Sequence, residues 1–324
     1  MVPPRILVVG TGAVGGFYGA RLAAAGARVA AVCRSDLETV RRQGIAIESF
    51  EGDRHFTPEP VLARAEDYDG PADYILVTLK VLPEIDLPVL IAPAVGPQTV
   101  IVLIQNGVEI EAPVVAAFPN QELLSGLAFV CLNRIAPGRI RHTCAGRLML
   151  GRYPEGPSPA AERLAALFRT DGLTCGVSPT IVRERWRKLV WNAPFNPVSV
   201  LGGGATTRQM LSDAEGVALA RGVMEEVLAV AAAVGHPLPE DLVERNLRET
   251  LAMTPYKTSM LVDFQEHRVM EVEAILGNAV RAARRTAVPA PRLETLYALL
   301  RLLTRPDAVN SATTRSAPPP EPGR

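Results

Sequence analysis

The start of the chain constrains the fold most. The apolar run Ile6-Leu-Val-Val9 leads straight into Gly10-Thr11-Gly12-Ala13-Val14-Gly15-Gly16, and Ala20, Leu22, Ala23 and Ala24 continue a small-residue helix pattern. A strand that turns over G-x-G-x-x-G into a helix leaves room for a dinucleotide pyrophosphate. Gly10 permits the sharp turn, Gly12 lets backbone N–H groups approach the phosphates, and Gly15 lets the helix lie close on its strand. The helix N-terminus adds unpaired N–H groups and a partial positive charge. A glycine turn alone is ordinary punctuation. The strand before it, the helix after it and a second β pattern at Arg28-Val-Ala-Ala-Val32 make a βαβ nucleotide unit the better reading. Residues 10–15 are therefore cofactor-binding candidates.

The end of the second strand selects the nucleotide. An acidic residue about 20 residues past the glycines bonds the ribose 2′-OH of NAD. Here the strand ends in Cys33-Arg34-Ser35. A guanidinium at that place pairs with a 2′-phosphate, and a serine adds a hydroxyl. Asp36, slightly late, is the alternative as a misaligned NAD-type acid, and Arg34 is otherwise a solvated loop charge. The expectation is NADP.

The 324 residues suit two domains. Lys and Arg total 34 against 34 Asp and Glu, so no broad basic field points to nucleic acid. No stretch of about 18 uncharged apolar residues is present to span a bilayer, and strand and glycine turn begin where a signal segment would lie. A soluble cytoplasmic protein is expected. The four cysteines, Cys33, Cys131, Cys144 and Cys175, lack C-x-x-C spacing and read as small buried apolar residues. The four histidines lack metal-ligand spacing, and no metal site is expected.

Short β runs alternate with helices or loops up to about residue 175. The stronger runs are 6–9, 29–33, 74–78 and 100–103; weaker ones are 45–47, 124–130, 140–144 and 148–151. Uninterrupted apolar runs suit parallel strands buried on both faces, while Ala136-Pro137-Gly138 marks an antiparallel hairpin. Residues 160–169 read as a helix. After Ser178-Pro179 the character changes: 181–192, 217–234, 240–250, 258–276 and 293–303 all show helical spacing. The expected organisation is α/β: a dinucleotide-binding domain over 1–178, an all-helical substrate and catalytic domain over 179–308, and a disordered tail over 309–324. The apolar faces of 217–234 and 293–303 leave room for a homodimer, although packing within the domain is favoured.

Lys188, Asn192 and Asn196 stand at i, i+4 and i+8, which stacks them on one helix face among the apolar Leu189, Val190, Trp191, Ala193 and Phe195. One such asparagine is ordinarily a cap or a satisfied core amide. Three polar groups in register, followed by Pro197, need partners when buried, and a ligand with a carbonyl, hydroxyls and a carboxylate supplies them. Thr258 and Ser259 offer hydroxyls after the Pro255 turn, with Glu271 and Glu273 further along the same helical pattern; one of the two glutamates is read as an ordinary surface charge. Gly277 is read as a close helix contact. Asn106-Gly107 and Lys80 follow apolar runs at strand carboxyl ends, where α/β sheets bind ligands.

Taken together these residues resemble the ketopantoate reductase (2-dehydropantoate 2-reductase) family over residues 5–305. The matching pieces are Gly10-Thr-Gly-Ala-Val-Gly15, Arg34, Thr78-Leu-Lys80 and Gln105-Asn-Gly107. Beyond them come Trp186-Arg-Lys188-Leu-Val-Trp-Asn192, Asn196-Pro197, Ser259-Met260, Asp263, and Arg268 with Glu271. The resemblance implies a Rossmann-type first domain and a helical second domain like that of 6-phosphogluconate dehydrogenases. It implies that NADPH reduces a 2-keto acid to a 2-hydroxy acid. Lys188 would be the proton donor and Glu271 its catalytic partner. Asn106, Asn192, Asn196 and Ser259 would hold the substrate, with Lys80 beside the nicotinamide or the substrate carboxylate, so that Lys80 and Asn106 join the cofactor-binding set.

Two departures qualify the substrate. Where ketopantoate-specific members commonly carry a further asparagine, this chain has Leu201-Gly-Gly-Gly-Ala-Thr206-Thr207; the usual glycine before Arg268 is His267. The competing readings are a paralogue or related hydroxy-acid dehydrogenase with another substrate, and a non-enzymatic dinucleotide sensor. A sensor is expected to lose Lys188 or Glu271, and both are present.

Overall fold

The computed structural model describes residues 2–305; the tail expected over 309–324 lies outside the described residues. The first part of the chain runs β1 (Arg5–Val9), α1 (Ala13–Ala24), β2 (Arg28–Val32), α2 (Leu37–Gln43), β3 (Ile45–Ser49), β4 (Arg54–Phe56), β5 (Val61–Leu62), β6 (Tyr74–Val77) and α3 (Leu87–Ile91). It continues with β7 (Val100–Ile104), α4 (Ala112–Ala117), β8 (Leu123–Ala136), β9 (Arg139–Arg152), α5 (Pro159–Thr170), β10 (Cys175–Val177) and α6 (Ile181–Leu201). The strands form one mixed sheet in the order β4-β3-β9-β8-β7-β6-β1-β2-β5, with β10 also pairing β9. Strands β5, β2, β1, β6, β7 and β8 run parallel to their neighbours in that order.

The apolar runs are explained by burial on both faces. In β1, Ile6 and Val8 enter one core with Phe17, Tyr18 and Leu22 of α1, while Leu7 and Val9 enter the opposite core with Ile75, Val77, Ile101 and Leu103. A strand exposed on one face would alternate with polar residues.

The hairpin expected at residues 136–138 joins β8 to β9, but the two segments read as 140–144 and 148–151 are one strand of 14 residues. Its free edge is shared: residues 139–142 pair with β3 and residues 148–150 with β10. Between them Ala145 and Gly146 adopt positive φ, and register shifts in the β8–β9 ladder absorb the irregularity. Such a bulge interrupts side-chain alternation without ending a strand. Cys131 and Cys144 face each other across this ladder and form a disulfide, correcting their reading as small buried apolar residues; Cys33 and Cys175 remain buried thiols. Burial pushes the Cys175 thiol up to about 12, so it stays neutral.

The chain divides into two compact units at Arg185/Trp186, inside α6. The second unit, among the described residues, is helical: the rest of α6, α7 (Thr207–Leu211), α8 (Ala214–Ala233), α9 (Leu242–Ala252), α10 (Ser259–Gln265), α11 (Asn278–Arg285) and α12 (Pro291–Leu303). A π-helical turn, Glu273–Gly277, precedes α11. The architecture is a Rossmann-type α/β domain followed by a helical one. Among the described residues no helix is long and apolar enough to cross a membrane.

Gly15 is closely packed in the first unit: an added Cβ there would lie 2.5 Å from both Gly10 O and Thr78 Oγ1. Overpacking against backbone costs about 1–3 kcal/mol. Gly15→Ala is expected to lower the denaturant midpoint accordingly, and an unchanged midpoint would contradict this packing.

Candidate active site

Because β2, β1, β6 and β7 are parallel, their carboxyl ends share one edge of the sheet. The chain passes from β1 to β2 on one side and later returns to β6 on the other, so a topological switch point lies at β1. After β1, Gly10 turns at φ +97°. The Thr11 hydroxyl donates to Val32 O at the end of β2, 2.8 Å away. From the other side, the Thr78 hydroxyl donates to Gly10 O at 2.6 Å, and a Cβ on Gly10 would strike Leu79 N at 2.7 Å. The turn is held from both flanks.

Helix α1 opens at Gly12 with no side-chain cap, and a Cβ on Gly12 would meet nothing within 4 Å. Uncapped first-turn N–H groups, supplied by Ala13, Val14 and Gly15, beside an open glycine are what a pyrophosphate needs. The residues present fit a dinucleotide.

Arg34 and Ser35 are exposed beyond β2, whereas Asp36 is buried. Both oxygens of the Asp36 carboxylate are engaged. Oδ1 accepts from the Ser35 hydroxyl (2.8 Å) and from Arg134 Nη1 (2.6 Å); Oδ2 accepts from Gly138 N–H (3.0 Å). Asp36 thus braces the end of β2 against the β8–β9 turn. Among the described residues, Arg34 has no such carboxylate. Burial raises the neighbouring Cys33 thiol while a hydrogen bond with Thr11 lowers it, and the net shift is upward. Cys33 is a packing side chain.

Lys80 and Asn106 are half-buried, just past β6 and β7. The Gln105 side-chain amide donates to Leu79 O at 2.7 Å and joins these two strand-end segments. The sequence places Thr78 and Gln105 in family-like strand-end motifs but carries no record of the bonds they make to Gly10 O and Leu79 O.

In the second unit, the helix read over 181–192 continues through Pro194 and Pro197 to Leu201. Lys188, Asn192 and Asn196 therefore do share one face of α6. Lys188 is half-buried, and Asn192 and Asn196 are buried. Asn196 Oδ1 is buried with no hydrogen-bond partner among the described residues. The Ser199 hydroxyl bonds to Asn196 O (2.8 Å) and to Thr258 Oγ1 (2.6 Å), bringing the start of α10 to this turn of α6. Thr258 is the cap of α10, accepting from Leu261 N at 3.2 Å. Ser259 follows it and is exposed.

Ser259 and Glu271 do not share a helix, contrary to the helical reading of 258–276. Helix α10 ends at Gln265, and His267 takes φ +52°. Arg268 N–H bonds Asp263 O at 2.8 Å, and Arg268 Nε pairs with Asp263 Oδ1 at 3.0 Å. The left-handed residue explains why glycine is usual at this position, and histidine is among the side chains that tolerate it better than most. Glu271, buried, stands at the start of the next helical stretch. Glu273 is the structural one of the pair. It accepts from Tyr297 OH (2.7 Å) and Arg281 Nη1 (2.8 Å). Burial raises its carboxyl, but these partners outweigh it and hold it below the usual range. Gly277 makes room for this pair, since a Cβ there would lie 2.5 Å from Glu273 Oε2. Thr206 spends its hydroxyl capping α7 with Gln209. No group of three or more His, Cys, Asp or Glu side chains among the described residues is placed to hold a metal ion.

Two family models match the chain: "Ketopantoate reductase PanE/ApbA" over residues 6–155 and its C-terminal counterpart over residues 180–304. A 2-dehydropantoate 2-reductase of Nostoc sp. is 34% identical over 305 residues, covering 92% of this chain and 95% of the relative. The crystal structure of 2-dehydropantoate 2-reductase from Methylococcus capsulatus is 52% identical with a TM-score of 0.87, covering 92% of this chain and 96% of that one. The corresponding structure from Geobacter metallireducens is 35% identical with a TM-score of 0.88, covering 93% and 100%. This chain belongs to the ketopantoate reductase family of oxidoreductases.

Proposed function

We propose that this protein uses NADPH to reduce the ketone of a 2-keto acid to a 2-hydroxy acid, with 2-dehydropantoate as substrate and pantoate as product. The observation that carries the reading is the polar face of α6, where Lys188 stands in register with two buried asparagines and Asn196 Oδ1 has no hydrogen-bond partner among the described residues. A buried amide oxygen without a partner costs free energy that a ligand hydroxyl recovers.

Gly10, Thr11, Gly12, Ala13, Val14 and Gly15 hold the pyrophosphate, Arg34 pairs the 2′-phosphate, and Lys80 and Asn106 stand at the nicotinamide end. When bound there, the cofactor would supply the hydride for the carbonyl carbon. Lys188 Nζ hydrogen-bonds the carbonyl oxygen, stabilises the negative charge that develops there, and gives up its proton to complete the alcohol. Glu271 holds the Lys188 ammonium in place. Asn192, Asn196, Asn106 and Ser259 orient the keto acid; with Thr206 committed to capping, the hydroxyl that remains in place of the family's further asparagine is that of Thr207, buried with no hydrogen-bond partner among the described residues. A panel of 2-keto acids assayed by NADPH consumption therefore tests the substrate directly; 2-dehydropantoate is expected to have the highest kcat/KM, and a different acid in that place would replace it.

Lys188→Ala is expected to fold normally and lose about 10²–10⁴ in kcat, the range for a missing general acid, with NADPH affinity nearly unchanged. Turnover within a few-fold of the parent enzyme would end the assignment. Arg34→Ala is expected to weaken NADPH about tenfold or more by removing a charge-assisted pair, and to leave NADH unchanged. Asp36→Asn should leave NADH affinity where it was, because the carboxylate is committed to Arg134 and Gly138. Equal affinity of the parent enzyme for both nucleotides would overturn the NADP reading.

A further inference from the structure

We propose that Arg185 is a positioning residue: with Glu111 and Ser125 it forms a buried clamp that fixes the backbone of loop 105–111 and so aims the Asn106 amide. The inference rests on the reading of Asn106 as a ligand contact, but its structural part stands apart from it. The Arg185 side chain is 0% exposed and that of Glu111 1%, and the two are ion-paired at 2.5 Å. Ser125, also fully buried, donates to Glu111 Oε1 at 2.8 Å and accepts from Arg185 Nε. The rest of the guanidinium is spent on the loop. Nη1 donates to Gln105 O (2.8 Å) and Gly107 O (3.1 Å), and Nη2 donates to Leu103 O (3.3 Å). Glu111 Oε2 in turn accepts from Ile110 N–H at 3.0 Å.

The clamp grips an unusual stretch of backbone. Gly107 has φ +98° and Glu109, a side-chain-bearing residue, φ +54°. Such conformations persist where surrounding contacts over-determine them. A buried ion pair is a poor device for stability alone, since desolvation of both charges offsets their attraction. What only a planar guanidinium does is satisfy a carboxylate, a hydroxyl and three carbonyls at fixed angles at once. The two carbonyls gripped by Nη1 belong to the residues on either side of Asn106.

The test uses the full chain with Arg185→Lys, Asn106→Ala and the double variant. Lysine keeps the charge but has one nitrogen, which does not span five acceptors. Hydrogen exchange is expected to quicken about tenfold or more at amides of 105–111 while β7 stays protected. Arg185→Lys is expected to lower kcat/KM for the keto acid about ten- to a hundredfold. Because the clamp acts through Asn106, adding Arg185→Lys to Asn106→Ala should cost nothing further. Unchanged loop exchange, unchanged kinetics, or losses that simply add would each overturn the proposal. If Arg185→Lys does not fold, Glu111→Gln, which keeps the shape and removes the charge, is read by the same three criteria. If the parent enzyme reduces no keto acid, the proposed function fails while the exchange experiment still decides the clamp.

Discussion

The close approach of the β1–α1 turn to the end of β6 is the contact on which the nucleotide edge depends. Gly10 O lies under the Thr78 hydroxyl, Gly10 itself leaves no room beside Leu79, and Gly15 fills the last space between them. With the turn fixed at that depth, α1 begins with its first N–H groups uncapped and Gly12 facing open space. Because β1 is central and buried on both faces, any shift of this turn must displace the cores on both sides of the sheet. The rigidity of the anion-binding end is thus borrowed from the packing of the whole α/β unit.

Charge is distributed so that several buried or half-buried carboxylates are already committed. Asp36 is shared by Ser35, Arg134 and Gly138; Glu273 is shared by Tyr297 and Arg281; Glu111 serves Arg185, Ser125 and the Ile110 amide. These are structural joints between segments distant in sequence. The exposed Arg34 lies outside such joints among the described residues. Competition for partners, more than the presence of a given side chain, separates candidates for binding from parts of the scaffold.

In the helical unit the same logic applies to amides and hydroxyls. Thr258 and Thr206 are consumed as helix caps, and Ser199 ties α6 to the start of α10. Asn196 Oδ1 and Thr207 Oγ1 are left buried with no hydrogen-bond partner among the described residues.

The sequence by itself determined what depends on local order. The strand-turn-helix at residues 5–24 follows from an apolar run, three spaced glycines and a small-residue helix, all within one stretch of chain. The parallel strands follow from uninterrupted apolar runs, and the stripe of Lys188, Asn192 and Asn196 follows from helical spacing that Pro194 and Pro197 do not break. Only the tertiary structure decided which groups are spent. That Asp36 is a brace, that Glu271 and Ser259 belong to different helical segments, that Cys131 meets Cys144 across a ladder, and that Arg185 serves a loop far away in sequence are all pairings between distant positions. Periodicity carries no record of such partners, because the free energy that selects them comes from burial and hydrogen bonding after the elements have packed.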